Sequence, residues 1–172
     1  AEKAFKKLNI KYKKYSFLKR GSDERQFNSP GVDLNIGSIM RSRYGTFPEY
    51  HTSLDNFNFV NAKGLHGGYK VVRESIKNLI ELSENCGKKI QRTKHKNNPI
   101  CRFKCEPFLK KRKLYPLLSF KKYYVNYSDI LLNFLQYADG TNSLKRISRL
   151  IKITPKKNLG IYKILLKNYL IK

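Results

Sequence analysis

Between residues 21 and 56 the chain gathers ionisable and hydroxyl side chains among glycines and prolines, with few apolar residues to bury. Ser22, Asp23, Glu24 and Arg25 come first, then Glu49, Tyr50, His51 and Thr52, then Asp55 and Asn56. Such a segment cannot make a core of its own. Loops of this composition, held by apolar elements on either side, are where binding and catalysis concentrate. His51 is the sharpest member: a neutral imidazole is the commonest metal ligand, and Asp55, four residues on, could orient it from behind. A lone histidine in a loop is usually no more than a polar surface residue, so His51 needs partners. Asp23 and Glu24 reach the same mouth if their loop and that of His51 open at one end of a sheet.

The elements around this segment read as α/β. Ala4, Phe5 and Leu8 share a face at helical spacing, and Ile10, Tyr12, Tyr15 and Phe17 read as a strand whose alternation slips at Lys13 and Lys14. Helix followed by strand at so abrupt an opening suggests the last part of an α/β unit, and hence a fragment of a longer protein. Ser29, Pro30 and Gly31 signal a turn, and a short strand is expected over 38–43. The strongest helical signal covers 65–84, where Leu65, Tyr69, Val72, Ile76, Leu79 and Ile80 form one stripe opposed by Lys70, Arg73, Glu74, Lys77 and Glu81. Gly87 is a natural stop.

Residues 87–113 are polar, basic and irregular. They divide the chain into a first module, 1–86, a basic linker, 87–105, and a small C-terminal unit, 106–172. In that unit a strand is expected over 114–120, with Pro116 restricting it to an edge. A helix follows on Ile130, Leu131, Phe134, Leu135 and Ala138, ended by Asp139 and Gly140. Ser143 reads as the N-cap of a helix through Ile151. Thr154 caps the last, with Pro155 in its first turn and Leu159, Tyr162, Leu166 and Tyr169 along its apolar side. Leu170 and Ile171 would close as a strand, completing a winged-helix pattern.

Composition limits the partners. Hydrophobic content of 40% suits a globular chain. No run approaches the roughly 18 apolar residues of a membrane span, and no signal peptide is visible. Three cysteines, an odd number, point to a reducing compartment, so a cytoplasmic location is expected. Residues 1–85 hold 15 Lys/Arg against 9 Asp/Glu and residues 86–172 hold 22 against 3, so the net charge of +25 lies mostly in the C-terminal half. That half would attract polyanions, although a general richness in lysine, asparagine and isoleucine explains much of it as composition.

The sequences around Ser22–Arg25, Ile36–Ser42 and Pro48–Asn56 together resemble the bacterial aminopeptidase-like proteins that join a zinc-aminopeptidase-type domain to a C-terminal winged helix. Glu106, Pro107, Lys111, Arg112, Leu114, Tyr115, Pro116, Asp139 and Gly140 are similar to that family's entry into its last domain, so the resemblance covers nearly the whole chain. It implies an α/β fold, the C-terminal part of a zinc-aminopeptidase-like domain followed by a small α+β winged helix. It implies two zinc ions in the full-length protein, His51 as a ligand to one, and Tyr50 as the group polarising the scissile carbonyl or stabilising its oxyanion. Asp23, Glu24 and Arg25 would lie on the substrate side, although Glu24 stands where the wider group has a histidine. The substrate class would be peptide-like or an amide-linked small molecule, and related proteins are associated with polysaccharide biosynthesis. A site of this kind needs about five ligands for its two metals, and a general base. Here His66 and His95 have no ligand-like spacing, so this stretch alone is not expected to hydrolyse peptides.

Two other readings are weighed on the residues alone. Cys86, His95, Cys101 and Cys105 invite a structural zinc, but such sites favour close paired spacings and no second pair exists. As a basic winged helix, the C-terminal unit could bind nucleic acid or protein. Its last helices show lysines, which contact phosphates rather than read bases. A fold alone does not give DNA binding, so a protein-contact role is the favoured of the two.

Overall fold

The computed structural model describes residues 1–19, 23–34, 36–85, 93–114 and 122–172. Its regular elements there are six α-helices: α1 (Glu2–Lys7), α2 (Asp23–Phe27), α3 (Ala62–Asn85), α4 (Lys122–Tyr137), α5 (Leu144–Leu150) and α6 (Pro155–Lys167). Short 3-10 turns occupy Phe17–Lys19 and Leu109–Arg112. The chain forms two compact units. One comprises Ala1–Lys14 and Gly37–Ile90, the other Tyr15–Ile36 and Gln91–Lys172.

The expected α/β architecture is not formed. Among the described residues there is no β-strand, so neither 10–17 nor 38–43 is a strand and no sheet carries residues 1–86. Residues 10–16 run without regular structure into the Phe17–Lys19 turn. Alternating side chains create a strand only when a second backbone pairs with them, and here none does. The strand expected over 114–120 falls outside the described residues apart from Leu114, as do Ser22 and Cys86.

The first unit is built on α3, against which α1 packs. Lys7 donates to Glu74 at 2.5 Å, and Phe5 stacks on Tyr12 with ring centroids 4.8 Å apart. Very little apolar surface is lost to solvent here. Ala4 and Val71 are the unit's buried apolar side chains among the described residues.

The second unit has a continuous core. Leu131, Phe134 and Leu135 of α4 and Ala138 just after it pack with Ile147 of α5, Ile161 and Leu165 of α6, and Leu109, Ile151, Leu170 and Ile171 around them. The α4 and α5 faces are those that periodicity indicates. On α6 the buried positions are Asn158, Ile161 and Leu165, whereas Leu159, Leu166 and Tyr169 are exposed. The helix is thus turned from the expected side. Asn158 explains part of this, since its Nδ2 donates to Leu144 O at 2.8 Å and fixes α6 against the start of α5.

Both expected caps are made. Ser143 Oγ accepts from Arg146 N and Thr154 Oγ1 from Lys157 N, each at 3.3 Å, with Pro155 in the first turn of α6. Lys152, in the left-handed region at φ 57°, reverses the chain between the two helices. In place of strands, residues 99–102 pair by single bridges, Ile100 with Asp139 and Cys101 with Ile171. Ile100 and Lys172 exchange both backbone hydrogen bonds, at 3.0 and 2.9 Å, and Cys101 N donates to Ala138 O. Pairing over so few residues closes the end of the helical core without becoming a ladder.

Candidate functional site

The residues singled out in the sequence fall in different units. Tyr50 and His51 belong to the first, Asp23, Glu24 and Arg25 to the second. Each place is described on its own.

Tyr50 and His51 sit on a tight turn. Thr52 N and Oγ1 both return to Glu49 O, at 3.1 and 2.8 Å, and Asp55 N donates to Thr52 O at 3.1 Å. His51 adopts φ 59°, a conformation that histidine visits more readily than most residues. Its ring lies on that of Tyr50, with centroids 4.0 Å and planes 18° apart. Tyr50 also stacks with Tyr44 at 5.8 Å and meets Phe47 edge-on at 5.7 Å, and Phe47 stacks in turn on Phe59 at 5.6 Å. Aromatic pairs at these separations hold a loop shape without a core beneath it. The imidazole is therefore positioned by its neighbours while staying exposed.

Does this turn fit a zinc site? His51 is a suitable nitrogen donor, but among the described residues no three His, Cys, Asp or Glu side chains come together to hold a metal. These residues do not by themselves make the two-zinc centre that the resemblance implies. Cys101 and Cys105 are free thiols. Burial pushes the Cys101 thiol up, and a backbone hydrogen bond with Phe103 works in the other direction.

The Asp23–Arg25 segment lies in a more elaborate setting. Ser29, Pro30 and Gly31 form the expected turn: Val32 N donates to Ser29 O at 3.0 Å, with Gly31 at φ 84°. Glycine is suited to the third position of such a turn because it alone has no Cβ to clash there. The turn brings α2 back on itself, and Ser29 Oγ donates to Arg25 O at 2.7 Å. Asp23, at the start of α2, is exposed, whereas Glu24 and Arg25 are buried.

Arg25 is the hub of a buried polar network. Its Nε and Nη2 donate to the same Glu106 oxygen, at 2.8 and 2.5 Å, while Nη1 donates to Leu18 O and to Asn133 Oδ1, at 3.1 and 2.8 Å. Gln136 Nε2 reaches Glu106 Oε1 at 2.8 Å and Arg25 O at 3.1 Å, and Gln26 Oε1 accepts from Glu106 N at 2.9 Å. Sharing one carboxylate among a guanidinium and an amide offsets the cost of burying it. Nearby, desolvation raises the Asp129 carboxyl, Arg25 works against that rise and Glu106 adds to it. The resemblance implies a substrate-side place for Arg25. Its hydrogen bonds to Glu106, Asn133 and the Leu18 carbonyl instead turn the guanidinium inward, within its own unit.

A third surface, on α5 and α6, is cationic. Lys145, Arg146 and Arg149 of α5 and Lys156, Lys157, Lys163 and Lys167 of α6 are all exposed. Two of the three acids in the C-terminal half are taken up internally: Glu106 holds Arg25, and Asp139 accepts from Thr141 and Asn142.

Comparison with known proteins bears on both halves. Residues 1–82 match the profile of a domain of unknown function, DUF4910, and residues 96–172 match that of the winged helix-turn-helix. A winged helix-turn-helix domain is thus present at the C-terminal end. Over 147 residues the chain is 40% identical to a protein of Clostridium acetobutylicum named as a polysaccharide biosynthesis protein with an aminopeptidase-like domain. That alignment takes in 86% of this chain and 31% of the relative, so the chain spans about a third of the relative's length. No solved structure matches the chain. No helix among the described residues is long and apolar enough to cross a membrane.

Proposed function

We propose that these residues are the C-terminal part of an aminopeptidase-like hydrolase that cleaves a peptide-like or amide-linked small substrate in polysaccharide biosynthesis. The observation that carries the reading is the 40% identity over 147 residues to the polysaccharide biosynthesis protein with an aminopeptidase-like domain. In this reading His51 gives one nitrogen donor to zinc, and the remaining ligands and the general base come from outside residues 1–172. Zinc in such enzymes polarises the carbonyl and activates water. Tyr50, stacked on His51, stands beside that donor and supplies a phenolic hydrogen bond to the oxygen on which charge develops. Asp23, Glu24 and Arg25 lie in the other unit, where Arg25 holds α2 through Glu106.

The test is metal analysis of purified full-length protein. His51→Ala lowers the zinc bound per polypeptide, and Tyr50→Phe leaves zinc unchanged while lowering kcat by roughly 100-fold, the usual loss for one oxyanion donor. Zinc content unaffected by His51→Ala overturns the ligand assignment.

The cationic surface of α5 and α6 favours a second reading, in which the winged helix-turn-helix domain docks a polyanion such as duplex DNA. Lysine-dominated contacts would give binding that weakens steeply with salt and distinguishes sequences little. Failure of the protein to be retained on duplex DNA at low salt disposes of it.

A further inference from the structure

The first unit carries an apolar helix face that its own packing leaves uncovered. At 3.6 residues per turn, Leu65, Tyr69, Val72, Ile76, Leu79 and Ile80 of α3 fall on one stripe. All six are exposed, Leu65 at 76% and Leu79 at 61%. The buried side of the helix is a different one, roughly a quarter-turn away. It carries Val71 and Ser75, with Ser75 Oγ donating to Val71 O at 2.7 Å. The helix therefore buries small residues and shows its large ones. The preceding loop adds to the exposed surface, with Leu54 at 59% and Phe57 at 93%.

A stripe of this width on a long helix is the mark of a core-facing element, and a monomer rarely leaves so large an apolar patch in water. The second unit shows what this chain does when it has a core, burying eleven apolar side chains together among the described residues. Two occupants could cover the stripe: a second copy of the chain, or more of the same polypeptide. A net charge of +25 opposes self-association. The relative that aligns across α3 is about three times as long as the matched segment, and the DUF4910 match at 1–82 contains the whole stripe.

We propose that the Leu65–Ile80 stripe of α3 is the seam on which an apolar part of the same polypeptide, outside residues 1–172, packs to complete the aminopeptidase-like domain. This rests on the function proposed above. The seam would bury α3 on both sides and thereby give the Tyr50–His51 turn, in the same unit, a folded body to stand on.

Side-chain footprinting of Tyr69 and Leu79 tests this in two samples, residues 1–172 alone and the full-length protein. Both side chains are labelled freely in the shorter chain and lose most of that labelling in the longer one. Paired substitutions Ile76→Lys and Leu79→Lys reduce dye binding to exposed apolar surface in residues 1–172, yet lower the Tm of the full-length protein. Equal labelling in both samples overturns the seam. So does a dimer of residues 1–172 that the two lysines dissociate, because a second copy is then the occupant. If the stripe is protected but full-length protein contains no aminopeptidase-like domain, the functional reading falls and the seam stands.

Discussion

Arg25 and Glu106, 81 residues apart in sequence, meet inside the second unit, where one carboxylate oxygen of Glu106 accepts from both Nε and Nη2 of Arg25. Both side chains are nearly sealed from water, at 7% and 12% exposure. The pair fastens the segment containing α2 to the winged helix-turn-helix domain, and Asn133 and Gln136 extend the attachment onto α4.

Removing one partner leaves the other charged and buried. Glu106→Ala is expected to cost about 3–5 kcal/mol of unfolding free energy, and Arg25→Ala a similar amount. Replacing both with apolar residues, as in Arg25→Met with Glu106→Leu, should cost much less than the sum of the two, because no uncompensated charge remains. Urea unfolding of the wild type, Arg25→Met, Glu106→Leu and the double variant closes the cycle and gives the coupling directly. Additive losses would show that the two side chains do not act as a pair.

The parts of this fold that could be read in the sequence are those whose cause is local. Ser143 and Thr154 announce their helices because a cap needs only a hydroxyl three residues before an amide. The turn at Ser29–Val32 follows from Pro30 and Gly31 alone, and the Leu65 to Ile80 periodicity marks α3. The strands expected at 10–17 and 38–43 are not formed, since alternation says nothing about whether a partner exists. The Arg25–Glu106 contact has no local signature at all. On α6 both possible faces carry apolar residues, so periodicity could not choose between Leu159 and Ile161. For the candidate site, Tyr50 and His51 were legible as a pair and are found stacked. The burial of Arg25 was not, because an arginine next to two acids in a loop looks the same exposed or enclosed.

Gly140 holds the closing end of the winged helix-turn-helix domain. It sits at φ 83°, its N–H donates to Pro99 O at 3.1 Å, and its carbonyl accepts from His95 N at 2.9 Å. A Cβ there would come within 3.0 Å of Ile100 Cγ1. Gly140→Ala should therefore cost about 1–3 kcal/mol for backbone conformation, with some added by displacement of Ile100. Hydrogen exchange locates the loss: the amides of His95, Ile100 and Cys101 should speed up more than those of α4. Uniform loss across the domain, or none, would contradict this account.

The contact between Lys7 and Glu74 makes the joining of α1 to α3 depend on pH at both ends of the scale. The hydrogen bond from Lys7 holds the Glu74 carboxyl below its ordinary value of 4.5, and the same bond raises Lys7 above 10.5. With Glu74 depressed, the folded form binds fewer protons than the unfolded one in the acid range. The contact therefore contributes fully above pH 4.5 and is lost as pH falls through the folded value. With Lys7 raised, the contribution is present below 10.5 and disappears as pH climbs through the folded lysine value. Lys7 is exposed and Glu74 only partly covered, so the contribution is small and further weakened by salt. The expected result is faster hydrogen exchange at the amides of Phe5 in α1 and Leu8 just after it on acidification, beyond the intrinsic change, and the same loosening at high pH. Glu74→Gln should remove both pH dependences while leaving α5 and α6 untouched. Retention of either in that variant would show that another pair fastens α1.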